Sequence, residues 1–291
     1  MPSGIIIMDK PAGWTSQDVA AKLRGVFRER RIGHGGTLDP MATGVLPVFV
    51  GRATRAVEFF ESAEKEYIAG LRLGVETNTQ DTTGEVVKTS PVTVTREQVE
   101  EVLRSFLGPQ EQVPPMYSAV KIGGKKLYEL ARQGKTVERK PRHIELLELE
   151  LLDGGGADYR FRVRCTKGTY VRTICHDLGQ ALGCGGCMSS LRRTKAGCYD
   201  ESQSITMDEL LQMENPAEKL LPVDSVFAAW PETTIHENQL KAVYNGAELK
   251  TAALADGTYR VYGPDGTFLM VGETKNGRMR TVKSFFEVNH G

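Results

Sequence analysis

Apolar positions along this chain change period several times, and the changes mark out its elements. After Thr15, residues Val19, Leu23, Val26 and Phe27 share one helical face, and Thr15 with Asp18 makes a capping-box pattern at its start. Residues 66–73 switch to a period of two around Tyr67, Ala69, Leu71 and Leu73, which predicts a half-buried strand. Thr95 and Gln98 cap a second helix whose stripe is Val99, Val102, Leu103 and Phe106, stopped by Gly108-Pro109. Residues 145–152 and Tyr159–Cys165 read as strands, the latter with Tyr159, Phe161, Val163 and Cys165 on one side and Arg160, Arg162 and Arg164 on the other. A third helix is expected from about Tyr170 to Leu182, with Thr169 as its cap. Beyond Trp230-Pro231 short strand candidates alternate with Asp-Gly and Asn-Gly turns, which predicts a small all-β unit reached through an acidic, helix-prone stretch at 198–230. Strands and helices do not strictly alternate. The expected class is therefore α+β with a largely antiparallel mixed sheet flanked by helices.

The 291 residues suffice for one large domain, or a large and a small one, with a full core. No apolar run approaches the roughly 18 residues of a membrane span, and Ile5–Met8 is too short for a signal peptide; with five cysteines taken as reduced thiols, a cytoplasmic location is expected. The balance of 37 basic and 37 acidic side chains hides a segregation: residues 118–145 carry eight basic against three acidic groups, residues 157–197 eight against two, and residues 198–230 one against seven. Local basic surface is what a polyanion needs, so charge leaves nucleic acid open as a partner; alternating solvated faces explain it equally well.

Candidate chemistry concentrates in Arg31-Ile32-Gly33-His34-Gly35-Gly36-Thr37-Leu38-Asp39-Pro40, continuing to Pro47. Glycines let the backbone turn sharply and approach a ligand, and Pro40 forces Asp39 into an extended conformation. The result is one carboxylate presented on a shaped loop. A glycine-rich connector with an Asx turn at Asp39 is the alternative. Arg172 falls in the first turn of its helix, where the dipole disfavours a cation, so a carboxylate or phosphate should hold it. Cys184-Gly185-Gly186-Cys187 has C-x-x-C spacing but lacks a second pair of zinc ligands, and no metal site is expected.

These segments resemble the TruB-type tRNA pseudouridine synthases. Gly33-His34-Gly35-Gly36-Thr37-Leu38-Asp39-Pro40, followed by Ala42-Thr43-Gly44-Val45-Leu46-Pro47, is similar to the family's catalytic motif. Lys10-Pro11 with Thr15-Ser16, Lys65-Glu66-Tyr67, Tyr117–Lys121, Gly168-Thr169-Tyr170-Val171-Arg172 and Leu191-Arg192-Arg193-Thr194 match further family segments, in order, from residue 4 to about 226. Gly186-Cys187 departs from the pattern, with a consequence expected only for local packing. The resemblance implies a catalytic domain at 1–230 with an RNA-closing insertion at 121–142, and a PUA-like RNA-binding domain at 231–291. It implies isomerisation of uridine 55 in the tRNA T-loop, with the base flipped out and Asp39, Tyr67 and Arg172 as catalytic residues: Asp39 the nucleophile attacking C6 or C1′, Arg172 paired to it, and Tyr67 stacked on the base, with proton transfer at the sugar or C5 its alternative role. His34 would fill the gap left by the base. Lys10, Leu191, Tyr170, Gly36 and Thr37 would contact the substrate, with Lys10 and Leu191 as pocket walls. No cofactor, metal, membrane or protein partner is implied, and a monomer is expected. Two rivals stay open: a relative acting on another RNA under guidance from partner proteins, and an RNA-binding protein without catalysis.

Overall fold

A computed structural model describes residues 2–251 and 253–286. Its core is a nine-stranded sheet of β1 (Gly4–Lys10), β2 (Ile32–His34), β3 (Thr43–Val50), β4 (Lys65–Leu73), β5 (Gly108–Gln112), β6 (Arg142–Gly155), β7 (Asp158–Cys165), β8 (Gly186–Ala196) and β9 (Tyr199–Asp200). The order is β1-β3-β8-β4-β7-β6-β5, with β2 on the second edge of β3 and β9 on β8. Every pair is antiparallel except β3 with β8, which run parallel through Thr43–Arg192 and Gly44–Arg193. Helices α1 (Ser16–Phe27), α2 (Arg96–Ser105) and α3 (Val171–Ala181) supply Val19, Leu23, Val99, Leu103, Ile174 and Leu178 to the core beneath this sheet. The capping boxes at Thr15 and Thr95 both form as their spacing requires.

Three departures from the sequence reading matter. Gly108-Pro109 does not merely stop α2; it opens β5, which tolerates a proline because it is an edge strand. The stretch 198–230 is more than a lead-in, since Leu221 and Ile205 exchange backbone hydrogen bonds with Ile5, Ile7 and Asp9 and so cover the free edge of β1. The C-terminal unit is not all-β. Alongside its five-stranded sheet (residues 232–234, 249–250, 257–262, 268–275 and 278–284) it holds a helix, Glu237–Tyr244, closed by a hydrogen bond from the His236 backbone N–H to the Gln239 side chain. The unit has its own core around Val243, Val261 and Leu269, and rests on the large sheet through Phe227, Phe268 and Phe285.

The Gly186-Cys187 departure has a packing reason. A Cβ on Gly186 would lie 3.0 Å from the Cys175 carbonyl oxygen and 3.1 Å from the Gly179 Cα, and one on Gly179 only 2.1 Å from the Gly186 nitrogen, so α3 meets the start of β8 backbone to backbone. Bulk at this crossing would lift the helix that carries Arg172.

Candidate active site

The loop between β2 and β3 is fixed residue by residue. Pro40 occupies the second position of a turn closed by the Ala42 N–H on the Asp39 carbonyl at 3.0 Å. On one side, the buried Ser16 hydroxyl accepts from the Leu38 N–H at 2.9 Å and lies 3.4 Å from the Leu38 carbonyl. On the other, the Pro40 carbonyl accepts from the Gly13 N–H at 2.8 Å and the Lys10 ammonium at 3.3 Å. The Asp39 carboxylate makes no Asx hydrogen bond among the described residues; it turns to Arg172, with Nε to Oδ2 at 2.9 Å. That outcome disfavours the connector reading of the loop.

Arg172 is almost wholly buried and fully engaged. Its guanidinium also reaches Asp81 at 3.6 Å and donates to the carbonyls of Thr79 at 3.2 Å and Tyr117 at 2.9 Å. A cation in the first helical turn is thereby explained by two carboxylates and two carbonyls. Burial pushes the Asp39 carboxyl above its ordinary value and Asp81 adds to that push, while Arg172 and Lys10 favour the ionised form.

The cleft before Asp39 encloses about 850 Å³. Tyr67 on β4, Leu191 on β8, Tyr170 ahead of α3, and Gly36 and Thr37 on the loop all line it. Burial raises the Tyr67 phenol, so it keeps its proton, although neighbouring Arg193 pulls the other way. Lys10 is the correction: it is no pocket wall. Its side chain is fully buried behind the loop, with its ammonium on the carbonyls of Pro11, Trp14 and Pro40, and burial lowers it to about 8. His34 does not line the cleft either; its Nε2 sits 3.2 Å from the Gln17 amide at the rim, and burial lowers its pKa. Thr169 does not cap α3, because its hydroxyl donates back to the Thr166 carbonyl, and Tyr170 takes the N-cap position.

Several site residues escaped the sequence reading. Asp81 sits in a threonine-rich turn that carries no local signal of burial. Arg193, 1% exposed, donates to the carbonyls of Val45 at 2.7 Å and Gly36 at 3.2 Å. Lys65, lowered by burial to about 8, donates to the Ala63 carbonyl at 2.6 Å. The 121–142 segment forms a small hairpin and a helix, Leu127–Ala131, and places Tyr128 and Arg132 on the cleft. The strand arginines Arg160, Arg162 and Arg164 do not line the cleft. They alternate away from Tyr67 and Cys165, and pair with carboxylates: Arg160 with Asp153, Arg162 with Glu150, and Arg164 with Glu148 and Glu64. The cysteines are free, and Cys184 and Cys187 are buried; no group of three or more potential metal ligands occurs among the described residues.

The Asp39 carboxylate, ion-paired to Arg172, and the Tyr67 phenol line one cleft. The model of the TruB family pseudouridylate synthase N-terminal domain matches residues 24–171, and that of the tRNA pseudouridylate synthase B C-terminal domain matches 172–228. The chain belongs to the TruB family. It is 45% identical over 289 residues to the tRNA pseudouridine synthase B of Syntrophomonas wolfei, covering 96% of each chain. It is 40% identical to that of Clostridium kluyveri, covering 97% of this chain and 99% of the relative. Among solved structures it is similar to one described as a Cbf5-Nop10-Gar1 complex (TM-score 0.75, 28% identity, 97% of this chain and 85% of that one).

Proposed function

We propose that this chain converts uridine 55 of the tRNA T-loop to pseudouridine, with Asp39 as nucleophile. The N1–C1′ bond breaks, the uracil turns in the cleft, C5 bonds to C1′, and the C5 proton is lost while N1 gains one, so substrate and product are isomers. The observation that carries this reading is the Asp39 carboxylate at the cleft floor, held by Arg172 and faced by Tyr67. Tyr67 offers the base a ring to stack on, since its retained proton makes it a poor base at neutral pH. His34, neutral because burial lowers its pKa, stands at the rim to fill the gap left by the flipped uridine. Leu191, Tyr170, Gly36 and Thr37 contact the flipped nucleotide. Residues 1–230 form the catalytic domain, 121–142 close over the RNA, and 231–291, whose positions 252 and 287–291 lie outside the described residues, form a PUA-like RNA-binding domain. The enzyme works in the cytoplasm as a monomer without a protein partner, unlike the complex named above, and loosens the T-arm as it opens it.

A T-arm stem–loop tritiated at C5 of its target uridine tests the reading. Wild type should release tritium, and Asp39→Asn should bind the RNA without release. Release by Asp39→Asn would remove Asp39 from the reaction; binding without release by wild type would favour an RNA-binding protein.

A further inference from the structure

We infer that Gln112 is a positioning residue for the Arg172–Asp39 pair, an inference that rests on the reaction proposed above. Gln112 is the last residue of β5, 4% exposed, and its whole amide is used on one neighbour. Its carbonyl oxygen accepts from the Tyr170 N–H at 2.8 Å, and its amide nitrogen donates to the Tyr170 carbonyl at 3.2 Å. Tyr170 is the N-cap of α3, with no side-chain cap of the usual kind. Its carbonyl is also where the helix begins, accepting from Thr173 at 3.1 Å and Ile174 at 3.2 Å. The clamp therefore fixes the phase of α3 two residues before Arg172.

That phase matters because the guanidinium is a rigid fork. It must meet Asp39, Asp81 and the carbonyls of Thr79 and Tyr117 together, and a small rotation of the first turn would break the set. The same strand end also leads into the segment holding Tyr117, which is tied to the RNA-closing insertion by Arg139 on the Pro114 carbonyl at 3.1 Å. Gln112 thus joins the two walls that grip Arg172. A primary amide sets one acceptor and one donor side by side without charge, matching the N–H and C=O of a single residue.

The test compares kcat and KM of full-length Gln112→Leu and Gln112→Glu on the tritiated stem–loop, across pH and relative to wild type. Misplacement of a catalytic pair by a fraction of an ångström to 1 Å costs on the order of 10- to 100-fold, and this loss should fall on kcat with KM for RNA little changed. In Gln112→Glu the introduced carboxyl, when ionised, keeps the acceptor but loses the donor; protonated, it regains an O–H for the Tyr170 carbonyl. Gln112→Glu should therefore recover toward wild type as pH falls, while the Gln112→Leu ratio stays flat. The ionisable groups around this corner are Arg142 in register across β5 and β6, the His143–Glu111 pair, Arg139 and Arg172. They are common to all three proteins and divide out of the ratio. Wild-type kcat in either folded variant, or a Gln112→Glu ratio that ignores pH, would overturn the role. If Gln112→Leu does not fold by thermal melt, the pH ratio of Gln112→Glu decides alone. Asp39→Asn runs alongside: release from it sinks the underlying reaction, whereas its silence together with wild-type behaviour of the Gln112 variants sinks only the positioning role.

Discussion

Gly44 is where the loop carrying Asp39 is welded to the opposite wall of the cleft, and Gly44→Ala measures how tight that weld is. Two costs combine there. The residue has φ of +99°, which a side chain adopts only under strain of about 1–3 kcal/mol. In addition, a Cβ would stand 2.3 Å from the Arg193 carbonyl oxygen and 3.0 Å from its nitrogen, both backbone atoms of β8 that cannot swing aside. Forcing the strands apart at this parallel contact adds about 1–3 kcal/mol, the usual cost of overpacking. The sum is about 2–6 kcal/mol, or roughly 4–12 °C of melting temperature at about 2 °C per kcal/mol for a chain of this size. Gly168→Ala separates the terms: its φ is +82°, but a Cβ there meets nothing within 4 Å, so only the strain applies and the melt should fall by roughly 2–6 °C. Scanning fluorimetry of the two variants beside wild type reads the difference directly. Equal shifts would mean that β3 and β8 part without cost, and that the close approach does not hold Asp39 against Leu191 and Arg193.

Two further outcomes follow from the site. Because burial holds the Asp39 carboxyl above its unfolded value, the folded chain binds that proton more tightly than the unfolded chain, and the group subtracts stability once pH exceeds ~3.9. Asp39→Asn, which mimics the neutral acid, should melt above wild type at pH 7, with the gap closing as pH falls toward ~4; a variant melting below wild type at pH 7 would mean that pairing with Arg172 outweighs burial. Ser16→Ala frees both backbone polar atoms of Leu38, the residue before Asp39, at a cost of about 1–3 kcal/mol. Its kcat should fall with RNA affinity intact, and an unchanged kcat would show that Gly13 and Lys10 suffice to hold the turn.

Local chemistry was legible wherever a signal lay within a few residues. The Thr15 and Thr95 capping boxes, the alternation of β4 and the bent loop before Pro40 all declare themselves over three to eight positions. What stayed hidden depends on partners distant in sequence. Gln112 shows its purpose only beside Tyr170, and Asp81 only beside Arg172, 91 residues later by their numbers. Lys10, expected as a pocket wall, and Arg193, given no role, are received inside by backbone carbonyls that nothing nearby in the sequence announces. The C-terminal helix, Glu237–Tyr244, escaped because its buried stripe is short, with Val243 its one buried residue.

The two faces of the sheet treat their cations differently. On the far face, Arg160, Arg162 and Arg164 are matched by carboxylates across β4, β6 and β7, so their charge is largely cancelled at the surface. Around the cleft, Lys10, Lys65 and Arg193 are satisfied instead by carbonyls: three for Lys10, two for Lys65 and two for Arg193. A carbonyl satisfies a donor without neutralising its charge, so Lys10 still favours the ionised form of Asp39 and Arg193 that of Tyr67. Burying them is costly, and the lowering of Lys10 and Lys65 to about 8 is the direct mark of that cost. A carboxylate partner for each would have cancelled that charge, at the cost of desolvating a second ion. It would also have weakened the pull by which Lys10 favours the ionised form of Asp39; Arg172 differs, being held by Asp39 and Asp81 as well as by carbonyls.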